Sequence, residues 1–319
     1  MKFLITGGAG FIGSHLAEAL LNQKHEVFII DNLSTGRLSN LDHIINNKKL
    51  HCCIDDILNK SVLNNLVKKS DIVVHIAAAV GVKYIIDNPL LSLETNLVGT
   101  QNVLYSANEY KKLVFLASTS EIYGKNSKEL LHEDDDRILG TTRISRWGYS
   151  TSKAVDECLA LAYSREKKLP IIIGRFFNTV GPRQSERYGM VIPRFIKQAL
   201  LGHPITVYGD GRQSRCFSYV LDIVDAIIGL INCPKAKSEI FNIGNTEEIT
   251  IEKLAQKIKA IVKSDSDIVY MPYNKAYEEG FEDMRKRKPD ISKLKKYINF
   301  KPKYNLEAIL KNTIECFKA

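Results

Sequence analysis

Short apolar runs recur through the first half of the chain, at residues 2–6, 25–30, 50–54, 72–77, 113–118 and 171–176. Runs this short, bounded by turn residues, read as buried strands. Between them lie stretches with helical spacing of apolar positions, notably 14–21, 91–110 and 149–165. Alternation of the two patterns predicts an α/β fold, a doubly wound parallel sheet of the Rossmann type with helices on both faces. Beyond Phe177 the rhythm breaks. Pro182, Pro193, Pro204 and the turn Tyr208-Gly209-Asp210-Gly211 punctuate shorter elements. Residues 220–230 read as a strand or turn entering a helix that rejoins the first core. Residues 249–262 form an amphipathic pattern with Thr250 as a candidate N-cap, and a closing helix is expected over 306–317. The predicted organisation is a nucleotide-binding domain, 1–176 with 218–242 returning to it, and a smaller interleaved C-terminal substrate lobe, 177–217 and 243–319. There are no internal repeats and no low-complexity linker.

The first strand runs straight into Gly7-Gly8-Ala9-Gly10-Phe11-Ile12-Gly13, and a helix follows. Gly8, Gly10 and Gly13 match G-x-G-x-x-G literally, while Gly7, Gly10 and Gly13 match the variant with glycines three apart. Missing side chains let a backbone turn tightly and approach a pyrophosphate, which rests on the helix N-terminus. The motif has weight here because strand, turn and helix come in the required order. Asp31 closes the second strand 18 residues past Gly13, near the ~20 expected of a ribose-binding carboxylate. An acid there repels a 2′-phosphate and favours NAD over NADP; its alternative role is to cap a turn with Asn32. Arg37 offers a phosphate contact, the one feature that would suit NADP. Asp56-Ile57, after the third strand, are candidates to border the adenine. Small residues at Ala77-Ala78-Ala79 either let the chain pass beneath a flat cofactor or simply pack tightly.

Composition narrows the classes. Among 319 residues, 45% are hydrophobic and 25% charged, with a net charge of +9, ordinary for a globular protein apart from the basic excess. The tightest basic run is Arg285-Lys286-Arg287-Lys288. It has no helix-turn-helix, zinc finger or aromatic-studded platform beside it, so nucleic acid is not the expected partner; a solvated surface that draws anionic small molecules is. The six cysteines, at 52, 53, 158, 216, 233 and 316, form neither a C-x-x-C pair nor zinc spacing. Reduced thiols, no metal and a cytoplasmic location are expected. The apolar N-terminus flows into the glycine turn and so is not a signal peptide, and no run reaches the ~20 residues of a membrane span.

Tyr149 and Lys153 stand four residues apart in Tyr149-Ser150-Thr151-Ser152-Lys153, on one face of the predicted helix. A phenol is a poor base at its usual pKa of about 10. An ammonium beside it favours the phenolate, so the pair is expected to act as a general base toward a hydroxyl.

Together these residues resemble the extended short-chain dehydrogenase/reductase superfamily, the nucleotide-sugar epimerases, dehydratases and decarboxylases, over essentially the whole chain. The marks are residues 6–13, Asp31-Asn32-Leu33-Ser34-Thr35-Gly36, residues 118–124, residues 149–153, Arg175-Phe176-Phe177-Asn178, Gly181-Pro182-Arg183 and residues 207–217. The resemblance implies Tyr149 as base, Lys153 as its partner and a ribose ligand, and Thr119 as a hydroxyl near the reacting carbon. It implies a cofactor site of Gly7, Gly10, Phe11, Ile12, Gly13, Asp31, Asn32, Thr35, Gly36, Asp56, Ile57, Ala77, Ala78, Ala79 and Asn96 with Tyr149 and Lys153. For the substrate it implies Asn178 and Arg215 on the sugar diphosphate and Tyr208 near the base, with Arg183, Val191 and Arg194 beside them. A homodimer through the helices at 91–110 and 149–165 is implied as well.

Two places select within the superfamily. In Ser118-Thr119-Ser120-Glu121-Ile122-Tyr123-Gly124, dehydratases usually carry Asp-Glu where Ser120-Glu121 stand, and simple 4-epimerases carry no acid. Thr119-Ser120-Glu121 is similar to the UDP-glucuronate decarboxylases. So is the Arg-Lys-Pro-x-Ile run within Glu282-Asp283-Met284-Arg285-Lys286-Arg287-Lys288-Pro289-Asp290-Ile291, where the arginine that reaches the active site would be Arg287. Arg146-Trp147 resembles the decarboxylase domain of bacterial lipid A modification. The implied reaction on a UDP-sugar is oxidation at carbon 4, loss of carbon dioxide and re-reduction to UDP-xylose. The alternatives are a 4-epimerase, a dehydratase or, outside enzymes, a nucleotide-binding scaffold.

Overall fold

The computed structural model describes residues 1–79, 81, 85, 87–144, 146–185, 190–276 and 284–318. Its centre is a seven-stranded parallel sheet built from β1 (Lys2–Thr6), β2 (Glu26–Asp31), β3 (Leu50–Ile54), β4 (Ile72–His75), β5 (Leu113–Thr119), β6 (Ile171–Phe176) and β11 (Glu239–Ile243). The spatial order is β11-β6-β5-β4-β1-β2-β3. Both faces are buried, as the alternation along β1 and β2 shows. Phe3, Ile5, Val27 and Ile29 enter the core beneath α1 (Phe11–Asn22) and α6 (Val220–Ile231). Leu4, Phe28 and Ile30 enter the opposite core, with Val103 and Leu104 of α3 (Pro89–Glu109) and Ala160 of α4 (Arg146–Lys167). Successive side chains of a strand point to opposite faces, so a parallel sheet covered on both sides needs an unbroken apolar run.

The six expected strands are present within two residues at each end. The seventh, β11, pairs with β6 from Glu239↔Ile172 to Ile243↔Phe176; its sequence Glu-Ile-Phe-Asn-Ile alternates and was anticipated only as part of the returning segment 218–242. The order in which successive strands are added reverses between β1 and β4, which creates a crevice at their C-terminal ends, where open α/β sheets bind ligands.

A second core lies where the remaining elements meet. Phe195 and Ile196 of α5 (Val191–Leu200), Leu254 and Ile258 of α7 (Ile251–Val262), and Ile309 and Leu310 of α9 (Leu306–Lys318) form its centre. Thr250 caps α7 as expected, its hydroxyl accepting from the Lys253 amide. Ile291, Leu294 and Phe300 pack into the larger core, although they lie in the 243–319 stretch expected in the lobe. Among the described residues, no helix is long and apolar enough to cross a membrane.

Two buried histidines join these parts. His15 Nε2 donates to Pro182 O at 3.0 Å, tying α1 to the segment after β7 (Thr179–Val180). His75 sits between Thr6 and Thr100. Burial holds both neutral, with pKa values lowered from 6.5 to about 4 and about 3. Because the folded values lie below the unfolded one, the stabilisation is whole above pH 6.5 and is lost as pH falls toward 3 to 4. Each histidine costs up to about 1.4 kcal/mol per pH unit in that window. Urea unfolding at steps from pH 7.5 to 5 should therefore show stability falling with a slope approaching two protons. A non-titrating residue at position 15 or 75 should remove one; an unchanged slope would mean that the histidines are already charged in the folded chain.

Candidate active site

Two adjoining cavities open over the C-terminal edge of the sheet, of about 200 and 350 Å³, and Phe11 and Ile12 line both. The smaller is lined by Gly7, Gly10, Gly13, Asp31, Asn32, Thr35, Asp56, Ile57, Ala77, Ala78 and Ala79, all anticipated, and by Ser34, Asp55, Leu91 and Thr95, which were not. Gly7 has φ +74°, and a Cβ on Gly13 would lie 2.2 Å from Gly7 O, so neither position accepts a side chain. Gly8 does not line the cavity; a Cβ there would meet Ile29 at 2.4 Å. The variant with glycines three apart is thus the one that shapes the turn. Among the described residues, no side chain caps the N-terminus of α1, which leaves its amide dipoles directed at the turn.

Asp31 does more than one thing. Its Oδ2 accepts from Ala9 N at 2.9 Å and its Oδ1 from Leu33 N at 2.8 Å. It thereby fastens the glycine turn to the next loop while still lining the cavity, and burial pushes its carboxyl up. Asn32 donates to Asp56 Oδ2 at 2.6 Å. Arg37 is exposed and outside the lining. The bare helix end suits a pyrophosphate and the Asp31 carboxylate a ribose hydroxyl, and among the described residues that line this cavity none is cationic.

The larger cavity collects the expected chemistry. Thr119, Ser120, Glu121, Tyr149, Asn178, Val191, Arg194, Tyr208, Arg215 and Arg287 all line it. β5 ends in Thr119, and the helical turn that follows carries Ser120 and Glu121. Glu121 lies between two guanidinium groups. Arg287 Nη1 donates to its Oε1 at 2.5 Å, and Arg146 Nη2 reaches its two oxygens at 3.4 and 3.3 Å. Both arginines are buried. At the far end the Arg194 guanidinium lies 3.7 Å from the centre of the Tyr208 ring, a cation–π contact. Thr179 Oγ1, Gln184 Oε1 and Gln213 Oε1 also face this region, buried and without hydrogen-bond partners among the described residues. Buried polar atoms are normally paired, so these suit a polar ligand. Their residues fall beside recognised motifs but in no spacing that would single them out.

Four expected site features lie away from the cavity linings or are engaged otherwise than anticipated. Arg183 does not line the larger cavity: its guanidinium donates to Glu18 Oε2 at 2.6 Å and contacts His43, on the outer side of α1. Asn96 does not line the cofactor cavity. Its Oδ1 accepts from Ala79 N at 2.9 Å and its Nδ2 donates to Ser152 Oγ at 3.3 Å, so it braces the Ala77–Ala79 segment from behind. Gly36 lies behind Asp31, where a Cβ would be 2.9 Å from Oδ1. The fourth concerns the base itself. Lys153 Nζ donates to Asp156 Oδ2 at 2.8 Å, both side chains being nearly inaccessible. The Tyr149 phenol, rather than being lowered, is pushed well up by burial and by the charge of Glu121, against a hydrogen bond to Thr119 that lowers it. Glu282 and Asp283 lie outside the described residues.

The chain was compared with known proteins. The family model described as GDP-mannose 4,6 dehydratase matches residues 4–313. A UDP-N-acetyl-α-D-glucosaminuronate decarboxylase of Bacillus cytotoxicus is 44% identical, over 99% of this chain and 98% of that protein. UDP-glucuronic acid decarboxylase 1 of Danio rerio is 37% identical, over 99% of this chain and 72% of that one. Among solved structures, a UDP-glucuronic acid 4-epimerase from Bacillus cereus, in complex with UDP-glucuronic acid and NAD, superimposes with a TM-score of 0.90 at 29% identity, covering 100% of this chain and 99% of that one. Glycine turn, Tyr-Lys helix, double cavity and full-length match agree: the chain belongs to the extended short-chain dehydrogenase/reductase superfamily, among the nucleotide-sugar epimerases, dehydratases and decarboxylases that match the GDP-mannose 4,6 dehydratase model.

Proposed function

We propose that this protein is an NAD-dependent decarboxylase of a UDP-hexuronate, UDP-glucuronate or its 2-acetamido relative. The observation that carries the reading is the charge at the sugar end of the larger cavity. Two buried guanidinium groups, Arg146 and Arg287, converge on one carboxylate there, and a sugar carboxylate can share their donors. A neutral hexose offers these donors hydroxyls alone; a sugar carboxylate offers charge-assisted hydrogen bonds, which are roughly twice as strong. The 44% and 37% identical decarboxylases support the same class, the first carrying the acetamido substituent in its name and the second not. The 4-epimerase is the second reading, supported by the structural neighbour bound to UDP-glucuronic acid.

In this reading Tyr149 takes the proton of the carbon 4 hydroxyl, and Thr119, already hydrogen-bonded to the phenol, helps hold the oxygen as charge develops. NAD, when bound over α1 and against Asp31, supplies the two-electron acceptor for carbon 4 and returns the electrons afterwards. The carbon 4 ketone lies beta to the carboxylate on carbon 5, so it receives the electron pair released as carbon dioxide leaves. Carbon 5 is then reprotonated, with Glu121 and Ser120 beside it and Arg287 and Arg146 steadying the anion. Lys153 serves the base and the cofactor ribose; Asn178 and Arg215 take the diphosphate, Tyr208 and Arg194 the base, with Val191 beside them. A homodimer through the outer faces of α3 and α4 is supported by exposed Leu91, Val98, Tyr105 and Val155.

The test is product analysis. With NAD and each of UDP-glucuronate and UDP-N-acetylglucosaminuronate, carbon dioxide and a UDP-pentose are expected from at least one. An epimerised hexuronate without gas would move the function to a 4-epimerase.

A further inference from the structure

The Lys153–Asp156 pair is not isolated. The Thr100 hydroxyl of α3 donates to the Asp156 carboxylate, so Thr100 Oγ1 is left to accept from His75 Nε2, 3.1 Å away. A neutral imidazole protonated at Nε2 presents a bare Nδ1, and this accepts from Thr6 Oγ1 at 2.7 Å. Thr6 Oγ1 in turn accepts from Ala77 N at 3.2 Å. One continuous chain, with every donor pointing the same way, therefore runs from the cofactor cavity at Ala77 to Asp156. Thr6, His75, Thr100, Lys153 and Asp156 are each at most 2% exposed. The nearest other acid on this helix, Glu157, is spent on Arg175 at 2.9 and 2.8 Å.

We propose that Asp156, fixed by this chain, is a positioning residue that cancels the charge of Lys153, so that Tyr149 gives up its proton only when a positive charge enters the cavity. The inference rests on the reading of Tyr149 as the base. Charge counting supplies the reason. Phenol, ammonium and carboxylate together are neutral, so losing the phenolic proton to solvent would leave a buried net charge of −1. Glu121, held between Arg146 and Arg287, opposes that loss further. Oxidised NAD brings the compensating cation. Without Asp156 the same loss would take the trio from +1 to 0, which burial favours.

Asp156→Asn keeps the size and an acceptor for Thr100 but removes the charge. Two pH series decide: kcat with UDP-glucuronate, and proton release on NAD binding, measured by calorimetry in two buffers of different ionisation enthalpy. The acid limb and the midpoint of release should both move to lower pH by about one unit or more. A uniform fall in kcat with neither moved would overturn the proposal and leave Asp156 merely structural. Tyr149→Phe, run in parallel, should abolish the release. If it does while Asp156→Asn shifts nothing, only the role of Asp156 fails; if the release survives in Tyr149→Phe, the assignment of the base fails instead. Should Asp156→Asn not fold, Thr100→Val, which withdraws the hydroxyl that keeps the carboxylate anionic, should shift both quantities the same way by less, and no shift would again overturn the proposal.

Discussion

Tyr149→Phe should fold normally yet turn over UDP-hexuronate about 10²–10⁴-fold more slowly, the range that a lost general base commonly spans. The substitution removes one oxygen from a buried ring and leaves its packing on α4 and β5 in place. Only the hydrogen bond with Thr119 is lost, and this leaves the Thr119 hydroxyl at the edge of an open cavity where water reaches it. The measurement that checks the assignment is single-turnover NADH formation on mixing with substrate, because it reports the first oxidation before carbon dioxide is lost. Formation of NADH within tenfold of the parent rate would remove Tyr149 from the chemistry. The raised phenol adds a second expectation. Its proton is held by burial and by Glu121, so the resting protein should show no ionised Tyr149 near neutral pH, and the base should develop only with cofactor present.

Much of this architecture is legible in the chain because it depends on local periodicity. A strand buried on both faces must be apolar, and residues 3–5 of β1, 27–30 of β2 and 114–117 of β5 are unbroken apolar runs with every side chain buried. The glycine turn is equally legible, since backbone approach constrains residue type directly. Long-range choices are not. Arg183 and Arg215 both follow turn-rich segments, and nothing near Arg183 reveals that Glu18, far away in sequence, captures it. Asn96 supports the Ala77–Ala79 segment by reaching it from the helix behind. The amine expected to lower the phenol does have an i, i+3 acid in view, but whether such a pair forms depends on burial, which the 3.6-residue period cannot supply. Glu121 and Arg287 were singled out separately; that they meet, with Arg146 as a third member, follows only from the way the segment after 283 crosses the end of β5.

Arg287→Ala tests that meeting directly. Deleting one member of a buried, hydrogen-bonded charge pair costs about 2–5 kcal/mol, so kcat/KM for UDP-glucuronate should fall roughly 30-fold to several thousand-fold. Arg146 remains on Glu121, but one of the two guanidinium groups that suit a sugar carboxylate is gone. Binding of UDP-glucose, which lacks that group, should change far less, and the contrast between the two ligands carries the argument. Equal losses for both would place Arg287 at the diphosphate or in the fold and would undo the case for a hexuronate. How the loss divides between kcat and KM is informative too. Holding the carboxylate equally well before and during its departure would lower KM without aiding the reaction. As carbon dioxide leaves, the negative charge passes from the carboxylate to the carbon 4 oxygen, beside Thr119 and Tyr149. A guanidinium anchored on Glu121 is restrained from following the carboxylate closely, and a larger loss in kcat than in affinity is the result expected of a cation that favours the enolate.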